Sequence, residues 1–193
     1  MSDPGTSGGV YEPGVQEAPT RNCFAILVDN EPGILARVVG LFSGRGYNID
    51  SLTVDEVDTN SHLSRITIVT NGPPMVIEQI KAQLARLVPV RQVVNLTVQG
   101  RFVEGCLAYI KLIGTFEQRD AAKLIARKLG ARIVDTTDNT IIFELTEATS
   151  KISQMIDELR PLGQIEIART GSVGIICGDT VLGLPSLAER KSA

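Results

Sequence analysis

Asn30, Glu31, Pro32 and Gly33 precede a short apolar run, and Gly46, Tyr47 and Asn48 follow it, in the stretch "VDNEPGILARVVGLFSGRGYNID" over residues 28–50. A helix here starts with backbone N–H groups at Gly33 and Ile34 that lack intrahelical acceptors. The helix dipole adds partial positive charge, so a small carboxylate is favoured at that end. Gly33 has no side chain to block close approach, and Asn30 carries both donor and acceptor atoms suited to a zwitterion. Asn48 supplies a second polar contact, and Ile34, Leu35 and Ile49 supply aliphatic walls. Together such groups would suit a small zwitterion, though their place in so regular an order does not by itself establish a ligand. Read by type and spacing alone, Asn48 is a turn residue, and Gly33 stays open between helix start and ligand cradle.

Other chemistries fail on residue type. The single histidine, His62, lies in a polar turn with nothing beside it to orient a general base. Asp55, Glu56 and Asp58 read as a solvated strand end rather than an acid/base pair. The three cysteines, Cys23, Cys106 and Cys177, are far apart without metal-like spacing, and Cys177 reads as a small buried hydrophobe. Gly44 and Gly46 end a helix instead of opening one, and no Gly-x-x-x-x-Gly-Lys-Ser/Thr loop occurs.

Composition narrows the class further. The 193 residues are 43% hydrophobic and 21% charged, with a net charge of −3, a mixture that folds and stays in water. An acidic pI near 5.3 does not suit a phosphate-backbone binder. RNA-recognition modules stack bases on strand aromatics, yet aromatics are only 4% here and none lies in residues 63–70 or 92–98. No apolar run reaches the ~20 residues of a membrane span, and the N-terminus lacks a basic start followed by an apolar stretch. A cytoplasmic setting with reduced thiols is expected.

The elements that must position these residues follow from periodicity. Residues 1–21, rich in Gly, Pro, Ser and Thr, read as a disordered tail. "CFAILVD" is a buried strand; Pro32 and Gly33 open a helix carrying Leu35, Val38, Val39 and Phe42; Gly44 and Gly46 stop it in the left-handed conformation. "NIDSLTVDEVD" and "LSRITIVT" are strands around a polar turn, residues 73–87 a helix, and "VRQVVNLTV" a fourth strand. The order β-α-β-β-α-β then recurs: a strand at 102–114, a helix at 117–129, a hairpin turning at Asp138-Asn139, a helix at 148–160 and the strand "GQIEIARTG". The expected fold is α+β, two tandem ferredoxin-like βαββαβ domains over 22–98 and 99–180, with a tail over 181–193.

The segment "LVDNEPGILARVVGLFSGRGYNIDSLTV", with "LSRITIVT" after it, closely resembles the small regulatory subunit of acetohydroxyacid synthase, also called acetolactate synthase. The second unit, ending "EIARTGSVGI", resembles that family's C-terminal domain. The resemblance implies that the first unit is an ACT domain and that the chain is non-catalytic. It implies a partner, the large catalytic subunit using thiamine diphosphate, Mg²⁺ and FAD, which this chain stimulates and through which it transmits feedback inhibition by valine, or by leucine or isoleucine. It further implies a homodimer in which the effector lies between two ACT domains. Asn30, Gly33, Ile34 and Leu35 would come from one protomer, Asn48 and Ile49 from the other. A free-standing amino-acid sensor is the second reading and a thiol enzyme using Cys177 or Cys106 the third. The N-terminal extension departs from the family and has no assigned role.

Overall fold

The computed structural model describes residues 18–58 and 60–183. Most of the expected N-terminal tail and of the 181–193 tail lies outside these residues. The first unit comprises β1 (Thr20–Asp29), α1 (Ile34–Ser43), β2 (Ser51–Asp58), β3 (Leu63–Gly72), α2 (Pro74–Leu84) and β4 (Val90–Asn95). Its sheet runs β2-β3-β1-β4, every neighbouring pair antiparallel, so β3 is inserted between the two strands that α1 connects. Phe24, Ile26 and Val28 of β1 and Ile66 and Ile68 of β3 point to the helices. There they meet Ile34, Val38, Leu41 and Phe42 of α1 and Ile77, Ile80 and Leu84 of α2.

The second unit repeats this plan. β5 (Phe102–Ile113), α4 (Phe116–Leu129), β6 (Arg132–Thr136), β7 (Thr140–Glu147), α5 (Thr149–Leu159) and β8 (Gln164–Arg169) give the sheet order β6-β7-β5-β8. Alternate β5 residues Cys106, Ala108, Ile110 and Leu112 face Ala122, Ala126 and Leu129 of α4 and Ile152, Met155 and Leu159 of α5. Thr115 and Gln118 form a reciprocal capping box at the start of α4, and Gly130 ends that helix in the left-handed region at φ 80°. Two tandem ferredoxin-like units are therefore present.

Several boundaries differ from the sequence reading. β1 begins at Thr20, two residues inside the stretch assigned to the tail, because Asn22 is buried and joins Asn95 (2.9 Å). The fourth strand stops at Asn95. Its side chain accepts the Thr97 N–H at 3.2 Å and starts a short helix, α3 (Leu96–Gln99). Gly44 is right-handed at φ −64°, so Gly46 alone makes the left-handed stop at φ 69°. Cys177 is half-buried rather than buried, whereas Cys23 and Cys106 are buried.

A ninth strand was not anticipated. β9 (Val173–Ile176) pairs with the first four residues of β5 and brings the C-terminal segment back across the first sheet's helix-free face. Cys23, Ala25, Val69 and Leu96 are buried there under Phe102, Ile176 and Leu182. The two units are separate along the sequence but share this layer.

Candidate functional site

The β1–α1 turn is built by an unusual helix start. Gly33 stands at φ 85° before the first turn, with open space where a Cβ would lie and no side chain capping the helix. Pro32 thus precedes the helix instead of occupying its first position. The Ile34 N–H is not free: it donates to the Glu31 carbonyl at 3.2 Å. The outward donors are instead those of Gly33, Leu35 and Ala36, which bond no carbonyl or side chain among the described residues. Asn30 is exposed, and its backbone N–H donates to the His62 carbonyl at 2.7 Å, tying the turn to the β2–β3 hairpin. That contact gives His62 (φ 49°) a structural place, and its imidazole is 78% exposed.

Helix rotation divides the apolar residues differently from the spacing argument. Ile34 is buried in the core, so it is no pocket wall. Leu35, read both at the helical apolar spacing and as an aliphatic wall, and Val39, read at the same spacing, are 39% and 38% exposed, one turn apart on α1. Ile49 is half-buried and packs against the core from the far end of α1.

At that far end, the Asn48 amide donates to Asp50 Oδ1 at 2.5 Å, and the Asn48 carbonyl accepts from the Thr70 hydroxyl at 2.6 Å. The other Asp50 oxygen accepts from the Asn71 amide at 2.6 Å. The two ends of α1 thus differ in polarity: free N–H donors at Gly33, and an amide oxygen beside a carboxylate at Asn48. Ten helical residues separate them, about 15 Å at 1.5 Å per residue. Within one chain, Asn30, Gly33 and Leu35 share one locus, and Asn48 and Ile49 share another.

Contacts between the units lie close to the second locus. The Ser172 N–H donates to Ser51 Oγ at 2.7 Å, and Thr53 Oγ1 donates to the Ser172 carbonyl at 3.0 Å. Arg21 forms a two-pronged ion pair with Glu104, one arm at 2.8 Å, linking β1 to β5. The Arg21 guanidinium holds the Glu104 carboxyl below the usual glutamate range, and the carboxylate in turn raises the arginine. On β1, burial pushes the Cys23 thiol up to about 11, which makes it a poor nucleophile. Sequence reasoning missed Ser51, Thr53, Arg65 and Gly171–Ser172. Only Arg65, a cation inside an apolar strand, carried a visible signal.

Comparison with known proteins agrees with this arrangement. Residues 24–92 match the family described as "AHAS small subunit-like ACT domain", and residues 106–178 match "Small subunit of acetolactate synthase". The chain is 40% identical over 159 residues to the "Probable acetolactate synthase small subunit" of Archaeoglobus fulgidus, covering 82% of this chain and 98% of that one. It is 39% identical over 163 residues to the "Acetolactate synthase isozyme 3 small subunit" of Escherichia coli, covering 84% and 99%. The crystal structure of the acetolactate synthase small subunit from Thermotoga maritima superposes with a TM-score of 0.74 at 33% identity, covering 83% of this chain and 99% of that one. Two βαββαβ units, the first an ACT domain with its glycine-opened helix, and these relatives over nearly their whole length place the chain in the family of acetolactate synthase small subunits.

Proposed function

We propose that this chain activates a large, thiamine-diphosphate-dependent acetolactate synthase subunit and confers feedback inhibition by a branched-chain amino acid, valine foremost. The reaction, condensation of two pyruvates with loss of CO₂, belongs to that partner, as do its thiamine diphosphate, Mg²⁺ and FAD. One observation carries the effector half of this reading: the opposite polarity of the two ends of α1. A carboxylate suits the free donors around Gly33, a branched side chain suits exposed Leu35, and an ammonium group suits Asn48 Oδ1 beside Asp50. One small zwitterion cannot reach both ends of a helix about 15 Å long. Both loci serve the same ligand only when a second copy of the chain presents its Asn48 end to the Gly33 end of the first, which supports a two-fold homodimer with two equivalent sites.

The test is acetolactate formation by a purified large subunit. Addition of this chain is expected to raise the rate and to make it sensitive to valine, and Asn48→Ala is expected to weaken valine binding and valine-dependent dimer formation together. A rate and a valine response unchanged by the added chain would overturn the proposal.

A further inference from the structure

A cavity of about 430 Å³ lies between the helix-free face of the first sheet and the returning segment that carries β9. It is far larger than the ~30 Å³ occupied by one water and is within the range of small-molecule sites. Its walls are mostly aliphatic, with Leu27, Leu63 and Val94 from the sheet facing Ile176, Val181 and Leu182 from the segment. None of the residues at either end of α1 reaches it.

Among the described residues, the one cation lining this cavity is Arg65, half-buried on β3. One of its guanidinium nitrogens donates to the Gly174 carbonyl, so the side chain is fixed in place by β9. Removal from water lowers its pKa, and among the described residues no carboxylate is ion-paired with it. A guanidinium has five N–H donors, and the bond to Gly174 leaves several unused. Asp58 also lines the cavity, but its oxygens accept from the Ser61 hydroxyl and the Asn60 N–H, which turns its charge toward the β2–β3 turn. Gln92 accepts the Gly183 N–H at 2.6 Å through its side-chain oxygen, leaving its amide N–H groups as further donors.

We infer that this cavity is a second ligand site, taking a small aliphatic carboxylate whose head group pairs with Arg65 and whose hydrocarbon body fills the space between the sheet and the returning segment. A partly desolvated guanidinium gains more from a two-pronged carboxylate than from any neutral acceptor, and the aliphatic walls favour a branched or straight alkyl chain. Because the walls come from both units, occupancy would also hold the C-terminal segment against the first sheet.

The full-length chain titrated with 4-methylpentanoate, followed by calorimetry and by thermal unfolding, tests this. Saturable binding with a rise in melting temperature is expected. The uncharged isostere 4-methylpentanamide should bind at least about tenfold more weakly, the usual scale for losing a charged hydrogen-bond partner. Arg65→Met should weaken the carboxylate by a similar factor. Val57→Trp, a replacement at a half-exposed wall position that leaves Arg65 and its bond to Gly174 in place, should block it by filling the space. Gly33→Asp should leave this binding unchanged, which separates the site from the one at α1. Equal binding of acid and amide, full binding by both Arg65→Met and Val57→Trp, or no saturable binding by the unmodified chain would each overturn the inference.

Discussion

Gly33 concentrates two requirements in one residue, a left-handed backbone at φ 85° and an open approach to the start of α1. Substituting it mixes backbone strain with blocked binding, so the informative comparison is between Asp and Asn, which share a shape and tolerate that conformation better than other residues. Gly33→Asp places a negative charge where the proposed carboxylate docks. It is expected to raise the valine concentration for half-inhibition about two- to fivefold above that of Gly33→Asn, on the ~0.3–1 kcal/mol scale of a charge at a helix end, with activation of the large subunit kept by both. Equal inhibition of the two variants places the effector elsewhere. The sequence displayed Gly33, Asn30 and Asn48 plainly as helix-end residues, but glycine and asparagine are ordinary caps and turn formers, so residue type alone left Asn48 a turn residue and Gly33 undecided between helix start and ligand cradle. It could not reveal that Ile34 faces the core while Leu35 faces out, because a one-residue shift of the helix start rotates every side chain by about 100°.

Charge at the residue scale has its own consequence at Glu104. Its carboxyl is depressed below the ordinary value of 4.5 by hydrogen bonding to Arg21. A depressed carboxyl contributes stability that is complete above the unfolded value and is lost as pH falls through the lower folded value. Thermal stability should therefore decline on acidification below about pH 4.5, and Glu104→Gln should make that decline shallower. Added salt should shrink the difference, since the Arg21 side chain is 43% exposed and screened. An acid limb identical in both proteins rules out this ion pair as a contributor.

Among elements, the strongly periodic ones were legible: alternate burial along β5 and the apolar stripe of α2 follow directly from spacing. The misses share a physical cause, a local pattern overruled by a contact distant in sequence. "VRQVVNLTV" alternates well enough to continue as a strand, but Asn95 is held by Asn22, which is 73 residues earlier, and caps α3 instead. β9 has four residues with a glycine inside and no alternation of its own, so only its pairing with β5 defines it. Asn95→Ala removes a cap and leaves the buried Asn22 amide oxygen unpaired. A loss of about 1–3 kcal/mol is expected in denaturant unfolding. A cost below about 0.5 kcal/mol, the range of ordinary surface substitutions, would show that α3 does not depend on this pair.

For the whole molecule, the returning segment makes two modules into one regulatory body. Gly171 is pressed against β2: an added Cβ would lie 2.7 Å from Ser51 Oγ and 2.8 Å from the Leu52 carbonyl. β2 starts at Ser51, two residues after Ile49, so this contact lands at the Asn48 end of the proposed effector site. The second unit thus touches the strand that leaves the proposed site. If inhibition is a coupling free energy between effector and partner subunit, its usual range is about 1–3 kcal/mol, or 5- to 150-fold in affinity. Gly171→Val must displace the segment, because backbone at 2.8 Å cannot move aside as a flexible side chain would. The variant is expected to bind valine within a few-fold of the parent by calorimetry, yet to require at least about fivefold more valine to inhibit the large subunit. Binding and inhibition weakened by the same factor would mean that Gly171 shapes the site itself. Inhibition left unchanged, in a variant whose lowered melting temperature proves the contact broken, would remove the returning segment from the signalling route.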